Sequence, residues 1–126
     1  MKNISKYGQI KPYITRDGSE IRELMHPDSH DSKQQSLAEA TIRPGKQTLL
    51  HRHNKSEELY FITQGIGRLQ IGNEIIKVRP GDCVCIAPGM AHRIENIGHE
   101  DLKILCCCAP AYSHNDTELL QTGDND

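Results

Sequence analysis

The stretch that decides the fold runs from Gly45 to Gly65 and reads GKQTLLHRHNKSEELYFITQG. It places His51 and His53 two residues apart, follows them with Glu58, and is complemented further on by His92. In an extended chain alternate side chains share a face, so His51 and His53 project from one side about 7 Å apart and both imidazoles aim at one point. On a helix the same pair would diverge by roughly 200°, because helical neighbours lie three or four residues apart. A metal site here therefore requires a strand.

Moving outward, three Pro-Gly steps punctuate the chain: Arg43-Pro44-Gly45, Arg79-Pro80-Gly81 and Ala87-Pro88-Gly89. Pro followed by Gly suits a type II turn, since Pro presets φ and Gly accepts the positive φ after it. Between the turns lie runs of strand character at 37–42, 47–53, 58–63, 67–71, 74–78, 83–86, 92–96 and 102–108, and Gly72-Asn73 is a hairpin signal. No long window keeps a helical period, and the pattern predicts an all-β fold, an antiparallel sandwich or barrel.

The 126 residues are the length of one domain. Residues 1–35 read as an N-terminal arm with an edge strand at 11–14, a turn at Asp17-Gly18 and a polar loop at 26–35. Residues 36–112 carry the barrel, and 113–126 read as a polar, acidic tail that frays at Gly123-Asp124-Asn125-Asp126. Aromatics are only 4% of the chain, with one Phe and no Trp, so the core must come from Ile, Leu, Val and Ala. A formal charge of -2 gives no electrostatic reason to expect nucleic acid or an anionic membrane as partner. Lys2 and Lys6 are followed by no apolar run, and no stretch is long and apolar enough to span a bilayer, which predicts a cytoplasmic protein. The odd count of five cysteines, clustered as Cys83, Cys85 and Cys106-Cys107-Cys108, argues for reduced thiols over a disulfide framework.

Gly45, His51, His53, Glu58 and Gly65 resemble the first motif of the cupin superfamily in every interval. Gly81, Ala87-Pro88-Gly89, His92 and Asn96 resemble the second motif, with Ala87 where a Pro is usual. The resemblance implies a small single-domain cupin, a double-stranded β-helix or jelly-roll-like antiparallel barrel. It also implies one divalent metal held by His51, His53, Glu58 and His92. Three imidazoles and a carboxylate suit a first-row ion, Fe, Mn, Ni, Zn or Cu, and leave positions open for water or substrate.

Strand alternation extends the pocket. Gln47 and Leu49 are expected on the face of His51 and His53, Tyr60 and Ile62 on that of Glu58, Ile94 and Asn96 on that of His92, and Leu102, Ile104, Cys106 and Cys108 turned inward. Glu58, Tyr60 and Gln47 are the candidates for acid–base work or substrate hydrogen bonding, although Tyr60 reads equally as a packed core aromatic. Isolated His-x-His pairs are more often surface polar pairs than metal sites, and it is the joint register with Glu58 and His92 that favours a metal. His26, His30, His99 and His114 read as solvated imidazoles, and the cysteines as small core residues, Cys83 and Cys85 included.

The function expected is a metal-dependent enzyme acting on a small polar organic molecule by isomerase, lyase, cyclase or dioxygenase chemistry; the alternative is a non-catalytic module binding metal or a small ligand. A sugar-phosphate substrate would require clustered cations, and Arg52, Arg68 and Arg93 are those placed near the mouth. A homodimer is expected, with residues 3–15 pairing with a neighbour's sheet edge.

Overall fold

The computed structural model describes residues 2–121. Eleven strands run through these residues: β1 (Tyr13–Ile14), β2 (Glu20–Met25), β3 (Ser36–Ile42), β4 (His51–His53), β5 (Glu57–Gln64), β6 (Gly67–Ile71), β7 (Glu74–Val78), β8 (Cys83–Ile86), β9 (His92–Asn96), β10 (Leu102–Ala109) and β11 (Thr117–Leu119). They form two antiparallel sheets, ordered β1-β2-β3-β10-β5-β8 and β11-β4-β9-β6-β7. The all-β barrel is as the sequence predicts.

Alternation explains how the sheets face each other. Along β5 the side chains of Glu58, Tyr60 and Ile62 are buried while Leu59 and Phe61 are exposed. Along β9 His92, Ile94 and Asn96 are buried. The core joins Ile42, Ile62, Leu69, Ile86, Ile94 and Ile104 across both sheets. Each such aliphatic side chain contributes about 1.5–3 kcal/mol on burial, which substitutes for the aromatics this chain lacks.

The three Pro-Gly turns form as expected. Lys46 N–H donates to the Arg43 carbonyl, Asp82 N–H to Arg79 and Met90 N–H to Ala87, at 3.1, 3.0 and 3.1 Å. Gly45, Gly81 and Gly89 have φ of 79°, 96° and 80°, which a side chain would oppose. The turn closed by Ala87 keeps its hydrogen bond without the usual Pro.

Both ends of the chain differ from the sequence reading. The arm contributes β2, which pairs with β3 along its length, and β1, which pairs with β2 through Tyr13↔Ile21 and Ile14↔Glu20. Tyr13 and Ile14, from the segment expected to reach a neighbour's sheet, thus pair with their own. The tail contributes β11, which pairs with β4 through Thr117↔His53 and Leu119↔His51. β1 falls within the edge strand expected at 11–14, whereas polar composition hid β2 and β11, whose residues are for the most part incompletely buried. Residues 122–126 of the expected tail lie outside the described residues. Cys83 and Cys85 are exposed on the outer face of edge strand β8, where filler was expected. Cys108 is buried and Cys106 partly so, and all five thiols are free.

Candidate metal centre

β4, β5 and β9 bring His51, His53, Glu58 and His92 together. One ligand atom from each lies within 4.8 Å of all the others, and all four residues are buried. The pairing His51↔His92 sets two of the rings against each other, centroids 4.3 Å apart. Ligands on opposite sides of a first-row ion stand about 4.2 Å apart at metal–nitrogen distances near 2.1 Å, so the cluster has the right span.

Hydrogen bonds choose the tautomers. His51 Nδ1 lies 2.7 Å from the Leu49 carbonyl and His92 Nδ1 lies 2.9 Å from the Met90 carbonyl. A carbonyl only accepts, so each Nδ1 carries the proton and each Nε2 presents a lone pair. His53 Nδ1 lies 2.9 Å from Thr117 Oγ1, whose own hydroxyl donates to the Ser113 carbonyl at 2.9 Å. Thr117 therefore has only a lone pair left for His53, and the third Nε2 also faces inward.

Glu58 Oε1 lies 3.2 Å from His53 Nε2 and 3.3 Å from His92 Nε2. Yet these three buried atoms have no hydrogen-bond partner, because they point at a common centre and not along one another's N–H or lone-pair directions. Burial raises the Glu58 carboxyl, but the His53 and His92 imidazoles outweigh it and hold it down to about 2. Burial lowers His53, and the Glu58 carboxylate outweighs that to leave it above its ordinary value. His51 is lowered, chiefly by burial. A cation between the four atoms would satisfy all of them and displace the His53 proton. The donor set fits a first-row divalent ion.

The Cupin domain family model matches residues 38–108, a span that runs from within β3 to within β10 and contains all four of these side chains. The chain is a cupin. This cupin is 53% identical over 117 residues to an uncharacterised protein of Methanocaldococcus jannaschii, covering 93% of the chain and 94% of that relative. It is 29% identical over 86 residues to an oxalate-binding protein of Thermotoga maritima, covering 68% of the chain and 71% of that protein. Among solved structures it resembles the polyketide cyclase RemF of Streptomyces resistomycificus with a TM-score of 0.80 and 17% identity, covering 98% of the chain and 89% of the cyclase. At that identity the likeness speaks for the fold alone.

An internal cavity of about 50 Å³ opens beside the ligands of this cupin, and Tyr60, Ile94, Ile104, Cys106 and Cys108 line it as alternation predicts. Gln47 does not. It is exposed and lines a different hollow, while the neighbouring Thr48 is buried and faces the cavity. The physical reason is a break in phase: Gln47 makes only an isolated bridge to Glu95, and residues 48–50 leave the strand before β4 begins. Arg52, Arg68 and Arg93 are also absent from the lining; Arg52 pairs with Glu118, Arg68 with Glu95, and Arg93 donates to Gln70. These three arginines form no phosphate clamp at the cavity.

His26 is buried instead of solvated, with Nε2 2.7 Å from the Tyr112 carbonyl and Nδ1 accepting from Asp28 N–H. Two residues near the ligands escaped the sequence reading. Thr117 comes from the supposed tail. Asp17 comes from the arm, lines the cavity, and sets Oδ2 3.4 Å from His51 Nε2. The Asp17-Gly18 turn was visible in the sequence, but nothing local said where it would land.

Proposed function

We propose that this cupin is a metal-dependent enzyme acting on a small polar organic molecule, with one divalent first-row transition metal ion held by His51, His53, Glu58 and His92. The observation that carries this reading is the set of orphaned buried atoms, His53 Nε2, Glu58 Oε1 and His92 Nε2, around one centre. When bound, such an ion supplies Lewis-acid or redox chemistry at a substrate oxygen.

The chain's own residues do the rest. Glu58 is held as a carboxylate at neutral pH and balances half of the ion's charge. Its second oxygen, Oε2, faces the Cys108 thiol at 3.5 Å, which keeps that oxygen from turning inward. Burial, then the Glu58 charge, push the Tyr60 phenol well above its ordinary value. Tyr60 therefore keeps its proton and serves as a donor to substrate, not as a base. Ala40, Ile42, Ile94 and Ile104 make the cavity wall apolar, which excludes water and strengthens each polar contact inside. The likeness to an oxalate-binding protein supports action on a small molecule.

The same reading includes a homodimer, supported by the exposed apolar face of Leu37, Leu59 and Phe61 on the larger sheet, and a cytoplasmic location, supported by five free thiols. The test is elemental analysis of protein purified without added metal, followed by a substrate screen with His51→Ala as control. One metal per chain and turnover lost in the variant are expected. Equal turnover by variant and parent would end the enzyme reading and leave a binding module.

A further inference from the structure

We propose, resting on the metal reading above, that the ligand taken at the open side of the ion is a neutral, hydroxyl-bearing molecule whose hydroxyl donates to Asp17, and that dianions are disfavoured there. Asp17 is a built feature of the site. Its turn is closed by Gly18 N–H donating to the Thr15 carbonyl at 3.0 Å, with Gly18 at φ 93°. Its carbonyl accepts from Leu49 N–H at 2.8 Å, which ties the turn to the segment leading into His51. Its Oδ1 accepts from Ser19 N–H at 3.0 Å and from Ser19 Oγ at 2.7 Å. One carboxylate oxygen is thus committed to the turn, and the other, Oδ2, is set beside the ligand atom of His51.

That second oxygen faces a lone pair. Because His51 Nδ1 carries its proton toward Leu49, the Nε2 at 3.4 Å from Oδ2 has no hydrogen to offer. Two acceptors at that distance need a cation or a donor between them. Asp17 also stands outside the group of four whose ligand atoms lie within 4.8 Å of one another, so it belongs beside the ion's open side, not among its direct ligands. An oxygen that binds the ion there and still carries a hydrogen meets both needs, and a hydroxyl has both.

Charge decides against anions. Among the described residues the cavity is lined by Asp17, Glu23 and Glu58 and by no Lys or Arg. The divalent ion is already neutralised by Glu58 and Asp17, so a dianion would bring uncompensated charge into a largely enclosed space. The cavity's 50 Å³ holds on the order of four waters, so the part of the ligand that reaches the ion is only a few atoms across. A hollow of about 670 Å³ outside shares Tyr13, Glu23 and Tyr112 with it and leaves room for a larger remainder. This sets the chain apart from what the name of its oxalate-binding relative says of that protein.

The test titrates protein loaded with one equivalent of Co(II), parent and Asp17→Asn, with glycolamide and with oxalate, following the visible spectrum of the ion. Glycolamide is a neutral probe whose alcohol hydroxyl keeps its proton when its oxygen binds a divalent ion near neutral pH, and oxalate is a dianion of similar size. Asn keeps the Oδ1 acceptor for Ser19 while removing the charge. The preference for glycolamide over oxalate should fall at least about tenfold in Asp17→Asn, the size of one charge-assisted hydrogen bond. The parent alone gives a second measure that needs no variant: relative to Co(II) in buffer, its preference should be shifted at least about tenfold toward glycolamide. Smaller or opposite shifts with Co(II) fully bound overturn the assignment to Asp17 and leave the metal centre standing. Failure of the parent to take up Co(II) at all overturns both.

Discussion

His53 and Thr117 are 64 positions apart, and His53 Nδ1 rests 2.9 Å from Thr117 Oγ1. That contact joins the metal centre to β11, and it is relayed to the Ser113 carbonyl through the Thr117 hydroxyl. A ligand imidazole is oriented here by the part of the chain that looked least structured. Outer hydrogen bonds of this kind fix ring orientation and basicity.

Thr117→Val keeps the shape and removes the acceptor. Metal affinity measured by competition with a chromophoric chelator should drop about 10- to 100-fold, while Thr117→Ser should stay within about threefold of the parent. Equal affinities for the Val variant and the parent would show that β11 only covers His53.

The contact of Glu58 with His53 predicts how stability of the metal-stripped protein depends on pH. Glu58 lies at about 2 against an ordinary 4.5, so its contribution is complete above about 4.5 and is lost as pH falls toward 2. His53 is raised above 6.5, so its contribution is complete below 6.5 and is lost as pH rises through the raised value. The two shifts overlap in the Glu58–His53 contact, and His92 adds to the lowering of Glu58. Urea unfolding of stripped parent and Glu58→Gln should show their largest difference near pH 5.5, narrowing at pH 3 and again at pH 8. A difference that grows steadily with pH contradicts the pairing. Saturation with metal should remove the alkaline decline, since the ion replaces the His53 proton.

The outer face of the larger sheet carries Leu59 and Phe61 on β5, with Leu37 of β3 beyond Cys107 of β10 on one side and β8 at the open edge on the other. β1 of the arm forms the opposite edge and pairs with its own β2, and association is expected through the apolar face. Light scattering at micromolar concentration should give twice the chain mass for the parent and a monomer for Phe61→Glu, with the metal content of both unchanged. A monomeric parent would leave that face without the partner assigned to it.

His51, His53, Glu58 and His92 were legible in the linear chain because strand alternation converts their spacing into direction, and Gly45, Gly65, Gly81 and Gly89 mark where the strands must turn. Gly65 shows how tightly such a position is held: a Cβ there would sit 2.8 Å from the Asp101 carbonyl oxygen. Gln47 was misplaced because alternation holds only while the strand lasts, and the chain leaves it at residues 48–50, which brings Thr48 inward instead. Cys83 and Cys85 were misjudged because composition does not distinguish an edge strand from a central one.

The order of residues by itself determined the barrel, the turns and the four convergent ligands, since these follow from local periodicity and backbone preference. Only tertiary structure decided the rest. Asp17 and Thr117 lie in polar segments with no period to read, and they reach the site because β2 and β11 add to sheets formed by distant residues; the burial of His26 was equally unreadable. The charge of the cavity was likewise invisible in a nearly neutral composition, because it depends on which side chains the two sheets enclose and which arginines they leave outside.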